Sequence, residues 1–151
     1  MKKNGILMFL LTLTFGFISC EKSEVSSTIG EERIIGANEG WLDGAGRYLI
    51  KFENGYMYCG ENIHQIVGLP NSAKFVNVGR VNNLNKVNYV PIDGWQEIIE
   101  IKEGCGYVVE WQYYEWIEYG RIFFKEFIDK GGIKGYRVQA QIPWNPLTDS
   151  N

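Results

Sequence analysis

Residues 136–142, Tyr-Arg-Val-Gln-Ala-Gln-Ile, alternate without a break, apolar at even numbers and polar at odd ones. Successive side chains of a strand point to opposite faces, so this pattern predicts an antiparallel strand with one face buried and one in water. Similar runs recur along the chain, punctuated by glycine. Residues 47–53 and 56–59 flank Asn54-Gly55, the strongest short hairpin signal, because both central positions need positive φ. In 107–113, Tyr107, Val109, Trp111 and Tyr113 fall on one face, and Glu110 and Gln112 on the other. Residues 121–129 are apolar on both faces, which fits a central strand, with a two-turn helix as the alternative. Residues 75–81, 86–92 and 95–102 are further strand candidates, Pro91 ending the second or placing it at an edge. Gly131 to Gly135 reads as a turn, and Ile63, Ile66 and Val67 are spaced for one or two helical turns over 61–67. About seven short strands without a long amphipathic helix predict an all-β fold, a small antiparallel barrel or sandwich with at most one short helix. No internal repeat of fixed period is present.

At 151 residues the chain holds one ordinary domain. Its 45% hydrophobic and 22% charged content excludes a disordered tail, a collagen-like polymer and a multi-span membrane protein. The net charge is −3; leaving out Lys2 and Lys3, 13 basic residues face 18 acidic ones, a charge of −5. That balance lacks the electrostatic footprint of a nucleic-acid binder.

Lys2 and Lys3 precede an apolar run from Ile6 to Ile18. Thirteen helical residues rise about 20 Å, short of the roughly 30 Å hydrocarbon core, so the run reads as a secretory leader and not a stable span. Phe17-Ile18-Ser19-Cys20 resembles the lipobox of bacterial lipoproteins. The resemblance implies a diacylglycerol thioether on Cys20, cleavage before it and acylation of the new amino terminus, with the membrane as partner through this anchor. Each buried methylene contributes about 0.8 kcal/mol, so several acyl chains amount to permanent anchoring. Glu21, where an Asp favours inner-membrane retention in some Gram-negative bacteria, points to the outer membrane, on its periplasmic or surface face. The expected organisation is a leader over 1–19, lipidated Cys20 and a Ser/Glu-rich flexible tether over 20–33, one β domain over 34–146 and a tail over 147–151.

The ordered series Val78-Gly79-Arg80-Val81, Val90-Pro91-Ile92-Asp93-Gly94-Trp95, Gly104-Cys105-Gly106-Tyr107-Val108-Val109, Tyr119-Gly120-Arg121-Ile122-Phe123, Gly131-Gly132-Ile133-Lys134-Gly135 and Gln141-Ile142-Pro143-Trp144 carries a second resemblance. It resembles an uncharacterised domain family of short lipoproteins from intestinal Gram-negative anaerobes, over roughly 74–144. That likeness implies envelope residence and a small β architecture, and transfers no activity.

Chemistry-bearing motifs are scarce. His64 is the only histidine, and no His-x-x-x-His, Cys-x-x-Cys or Asp-x-Asp-x-Asp-Gly pattern accompanies it, so neither a metal nor a cofactor is expected. No Gly-x-Ser-x-Gly elbow presents a nucleophile. A glycoside hydrolase needs only two carboxylates about 5–9.5 Å apart. Glu97, Glu100, Glu110 and Glu118 are candidates for that, but read more simply as solvated strand faces and turns, and no catalytic residue is assigned. The glycine-rich stretch 40–47 lacks the Gly-Lys-Ser/Thr of a phosphate loop. Cys59 and Cys105 either form a disulfide, which would contribute about 3–4 kcal/mol, or remain buried thiols.

The compositional oddity is aromatic: Trp111, Tyr113, Tyr114, Trp116 and Tyr119 lie within nine residues. Exposed rings there would stack on sugar faces or anchor a protein contact, whereas buried ones would build the core. Trp111, Tyr113, Tyr114 and Trp116 are accordingly the candidate ligand-binding residues. The expected function is a non-catalytic binding or adhesion module with a glycan or envelope-protein partner; the alternative is a structural accessory subunit of a larger envelope complex.

Overall fold

The computed structural model describes residues 30–42, 48–60 and 72–147. They form two antiparallel sheets packed as an all-β sandwich. The strands are β1 (Arg33–Gly36), β2 (Gly40–Leu42), β3 (Tyr48–Glu53), β4 (Tyr56–Cys59), β5 (Ser72–Arg80), β6 (Ile98–Glu100), β7 (Cys105–Gln112), β8 (Ile117–Lys130) and β9 (Ile133–Trp144). The larger sheet runs β1-β9-β8-β7-β5 and the smaller β2-β3-β4-β6. These nine strands among the described residues exceed the seven or so expected, because β1 and β2 are too short to leave a period in the sequence.

The hairpin at Asn54-Gly55 forms as expected, with φ of 52° and 83° at the two positions. The run 121–129 lies within β8, the middle strand of the larger sheet, so the strand reading holds over the helical one. Residues 86–92 are a correction: they form no strand, and a single 3-10 turn, Leu84–Lys86, opens the segment. Of 95–102 only Ile98–Glu100 is strand. The helical turns expected over 61–67 lie outside the described residues. Gly30 to Glu32, assigned to the tether, are pinned to the sheet: Gly30 N donates to Ala140 O at 2.9 Å. Glu32 meets Lys125 at 2.9 Å and Arg137 at 3.3 Å, and Arg137 in turn meets Glu126 at 2.6 Å. Lys125 first, then Arg137, hold the Glu32 carboxyl below its ordinary range.

The main core lies between the sheets, where Ile50, Phe52 and Met57 meet Phe75, Tyr107, Val109, Ile122 and Phe124. Phe124 packs edge-on against Phe52, Tyr107 and Tyr136, each at about 5.5 Å between centroids, a geometry that suits the ring quadrupoles. Phe75 and Gln96 exchange two backbone hydrogen bonds of 2.8 Å, which joins the larger sheet to the chain entering β6.

A second core forms on the opposite face of the larger sheet, where residues 81–97 lie across it. Val87 and Trp144 pack with Val76 and Val108. Gly106 is required under this cover, because a side-chain carbon there would collide with the Val87 methyl. Arg121 points to the same side, 3% exposed. Its Nε donates to Gln141 Oε1 at 2.7 Å, one terminal nitrogen donates to Val87 O at 2.9 Å, and the guanidinium lies 5.1 Å from the centre of the Trp144 ring.

Of the two alternatives for the cysteines, free thiols are found: Cys59 and Cys105 are both unbridged. The Cys59 thiol accepts from the backbone of Ala73, whose partner on β7 is Trp111. Six residues of extended strand, about 20 Å, separate Trp111 from Cys105, whereas a disulfide needs Cα atoms within about 7 Å. Burial pushes the Cys59 thiol up to about 11.

Replacing Arg121 by Met should cost about 2–4 kcal/mol in urea unfolding, since Val87 O and Gln141 lose a buried donor. Protection of the 81–97 amides in hydrogen exchange should fall before that of β8. Uniform loss of protection would show that Arg121 serves the sheet and not its cover.

Candidate functional site

The alternation of β7 carries its odd residues inward as far as Trp111, which is only 1% exposed. Trp111 is therefore a correction: it belongs to the core and presents no face to a ligand. The chain then leaves the sheet for four residues before β8 begins. Tyr113 N donates to Trp116 O at 2.9 Å, closing the loop. The Tyr113 and Trp116 rings lie 4.7 Å apart and within 13° of parallel. Tyr113 is half-buried against the core, while Trp116 is 54% and Tyr114 86% exposed. Three of the four candidate residues thus gather at one hairpin tip. Tyr114 stands out into solvent without a ring packed on it among the described residues.

Beside the tip is a groove of about 490 Å³, lined by Val90, Ile117, Glu118, Tyr119, Trp144 and the segment 145–147. Its floor exists because the register of β8 and β9 shifts between Tyr119 and Arg121, with one extra residue on β9. The shift turns Trp144 away from the face of Val138 and Ala140, onto the side of Val76 and Val108. The Ile142–Pro143 bond in this stretch is cis. Trp144 is 3% exposed, and its indole nitrogen is buried without a hydrogen-bond partner. Trp144 is not among the candidate residues that the sequence offers; only the bulge, invisible in a residue count, brings it here.

Glu118 sits opposite Trp111 across β7 and β8 and also lines the groove. Burial pushes its carboxyl above the ordinary range. Burial first and the Glu118 charge second push the Tyr113 hydroxyl up. No lysine or arginine among the described residues pairs with Glu118. Glu118 faces the same side of the sheet as Trp111 and Tyr113, whereas Tyr119 and Trp144 of the groove face the other.

The four carboxylates considered for hydrolysis do not converge. Glu100 lies on the outer face of the smaller sheet, 3.3 Å from Lys102, and Glu97 is exposed just before β6. Glu110 and Glu118 are opposite Tyr119 and Trp111, on opposite faces of the larger sheet. No group of three or more His, Cys, Asp or Glu among the described residues is arranged to hold a metal. Cys20, His64 and residues 43–47 lie outside the described residues.

Because folding raises the proton affinity of Glu118, its effect on stability is favourable at low pH and is lost as pH rises through the folded-state value. Glu118→Gln should therefore raise the melting temperature at pH 7, and the difference from the parent should vanish below about pH 4. An equal shift at both pH values in thermal melts would remove desolvation of this carboxyl as the cause.

Neither a family model, nor a curated protein, nor a solved structure matches the chain.

Proposed function

We propose that this protein is a lipid-anchored binding module of the outer cell envelope, non-catalytic, which recognises its partner through the hairpin tip at Tyr113–Trp116 and the groove beside it. The observation that carries the reading is the stacked Tyr113–Trp116 pair, held at 4.7 Å on a short loop of a sheet, with Trp116 and Tyr114 largely in solvent. Rings fixed in this way add contact area with few rotamers left to freeze on binding. Loops on a rigid β scaffold are the usual seat of such surfaces. The envelope part of the proposal rests on Cys20 and the basic, apolar leader before it.

The accessory-subunit reading draws on a separate observation. Ile117 at 47% and Leu147 at 87% exposure extend the apolar surface away from the tip, as a contact with a larger protein would need.

Mass spectrometry of native material should find residue 20 as the amino terminus, carrying a thioether-linked lipid. An intact leader in the membrane fraction would overturn the anchor. For the tip, a photo-crosslinking residue at position 114 in intact cells should capture one envelope component. Trp116→Ala should weaken that capture by roughly tenfold or more, as loss of a central aromatic does elsewhere. Capture unaffected by this substitution would refute recognition through the tip.

A further inference from the structure

The end of the sandwich that carries the tip is also the end from which the chain runs back towards Cys20. β1 is antiparallel to β9, with Arg33 opposite Val138 and Gly36 opposite Gly135. Lower residue numbers on this side therefore lie further along β9 towards Trp144. Gly30 continues the trend: its N–H donates to Ala140 O at 2.9 Å. Gln112 at the end of β7, Ile117 at the start of β8 and Trp144 at the end of β9 all lie at that same end. The Gly131–Gly132 turn is at the other, roughly 40 Å away along the fourteen residues of β8. Cys20 precedes Gly30 by ten residues, at most about 35 Å of chain. A lipid on Cys20 thus brings the tip end of the domain to the membrane first, and the far turn would face the bilayer only if the tether ran back along the sheet.

The two ends differ in chemistry. At the tip, Tyr114, Trp116, Ile117 and Leu147 are all exposed, and residues 113–117 and 144–147 carry a single charge, Glu115. The far end also exposes Phe127 and Ile133, but among Asp129, Lys130 and Lys134, with Lys134 3.7 Å from Asp129. Tyrosine and tryptophan have an apolar body and a polar edge, and they favour the headgroup level of a bilayer, where one side is apolar and the other wet. The stack on Tyr113 and the Tyr113 N to Trp116 O bond hold Trp116 in place, so contact leaves no loop to order. Charge sets the depth and the headgroup. Glu115 is tolerable among headgroups but not below them, which makes the contact shallow. No lysine or arginine lies in 112–120 to select an anionic lipid.

Accordingly we propose that the hairpin tip, with Ile117 and Leu147 beside it, seats in the headgroup layer of the membrane that holds Cys20, its partner being a zwitterionic phospholipid surface. This rests on the reading of the tip as a recognition surface and of Cys20 as the anchor, and assigns the partner's chemistry. The acyl chains keep the domain at the membrane, and the rings fix which end faces it.

The test places a photo-crosslinking residue at position 114, or at position 133 beside the far turn, in the full chain. It uses native membranes and, in parallel, the purified protein in phosphatidylcholine vesicles. Mass spectrometry should find a phospholipid adduct at 114 in both settings, and several times less at 133. Trp116→Ala should lower the adduct at 114 by roughly fivefold while the protein stays in the membrane fraction through its anchor. Leu147→Ser, which alters a side chain 87% exposed and so leaves the core intact, should act in the same direction. Equal adducts at 114 and 133, or an adduct at 114 indifferent to both substitutions, reflects proximity through the tether and overturns the inference. If 114 captures a protein or a glycan in native membranes, weakened by Trp116→Ala, and no phospholipid in either setting, the tip remains a recognition surface and the lipid inference fails alone. If 114 captures nothing, both fail together.

Discussion

Residues 120–124 are buried on both sides of their sheet, and a strand in that position needs two covers. The smaller sheet supplies one, through Ile50, Phe52 and Met57. The other is the segment 81–97, which has almost no regular structure of its own. A loop lying across a sheet face cannot be fixed by ladder hydrogen bonds, so side chains must hold it there. Val87 and Leu84 plug it into the sheet, and Arg121 reaches up from β8 to the carbonyl of Val87. This accounts for a charged residue in an otherwise apolar strand. Burying the guanidinium costs several kcal/mol of hydration, which its hydrogen bonds and the Trp144 ring offset only in that geometry.

The location of the groove follows from the extent of that cover. The segment shields the sheet as far as Val90 and Trp95, and the end of the sheet beyond it is left to Tyr119 and Trp144. There the register shift on β9 swings Trp144 under the rim instead of into the main core. The groove is thus the margin where a loop-covered face gives out, next to the hairpin that carries the stacked rings. No second domain or inserted element is needed to build it.

Much of the fold was legible because its long strands keep a strict period. The alternation of 107–113 and 136–142 and the Asn54-Gly55 turn predict β7, β9 and the β3–β4 hairpin, and each forms, with β7 ending one residue short of Tyr113. Residues 86–92 misled for a definite reason: Val87 is apolar because it fills the outer core, not because its neighbours alternate. The site was half legible. The density of rings located the tip, but density cannot separate Trp111 in the core from Trp116 in water; the phase of β7 does. Trp144 has the even number that puts Val138 and Ala140 inward, yet it faces the other way, because one extra residue reverses phase. The cysteines were left between a disulfide and free thiols, since separation along the chain says nothing of distance along a strand.

Glu118 bears on whether the tip is architecture or surface. Its strand position is opposite Trp111, where a β-branched or small polar residue would satisfy the backbone and avoid desolvating a charge. The ring of Trp116 is likewise better hidden if its only task is packing, and half of it is in water. A half-exposed indole and a half-buried carboxylate this close together go beyond what holding the loop requires, which the Tyr113–Trp116 stack and one backbone hydrogen bond already do. Local conflict with the requirements of folding concentrates where a protein meets something else. The scaffold around them is conventional, so the conflict is confined to the tip, and a partner seated over that end of the hairpin would relieve it.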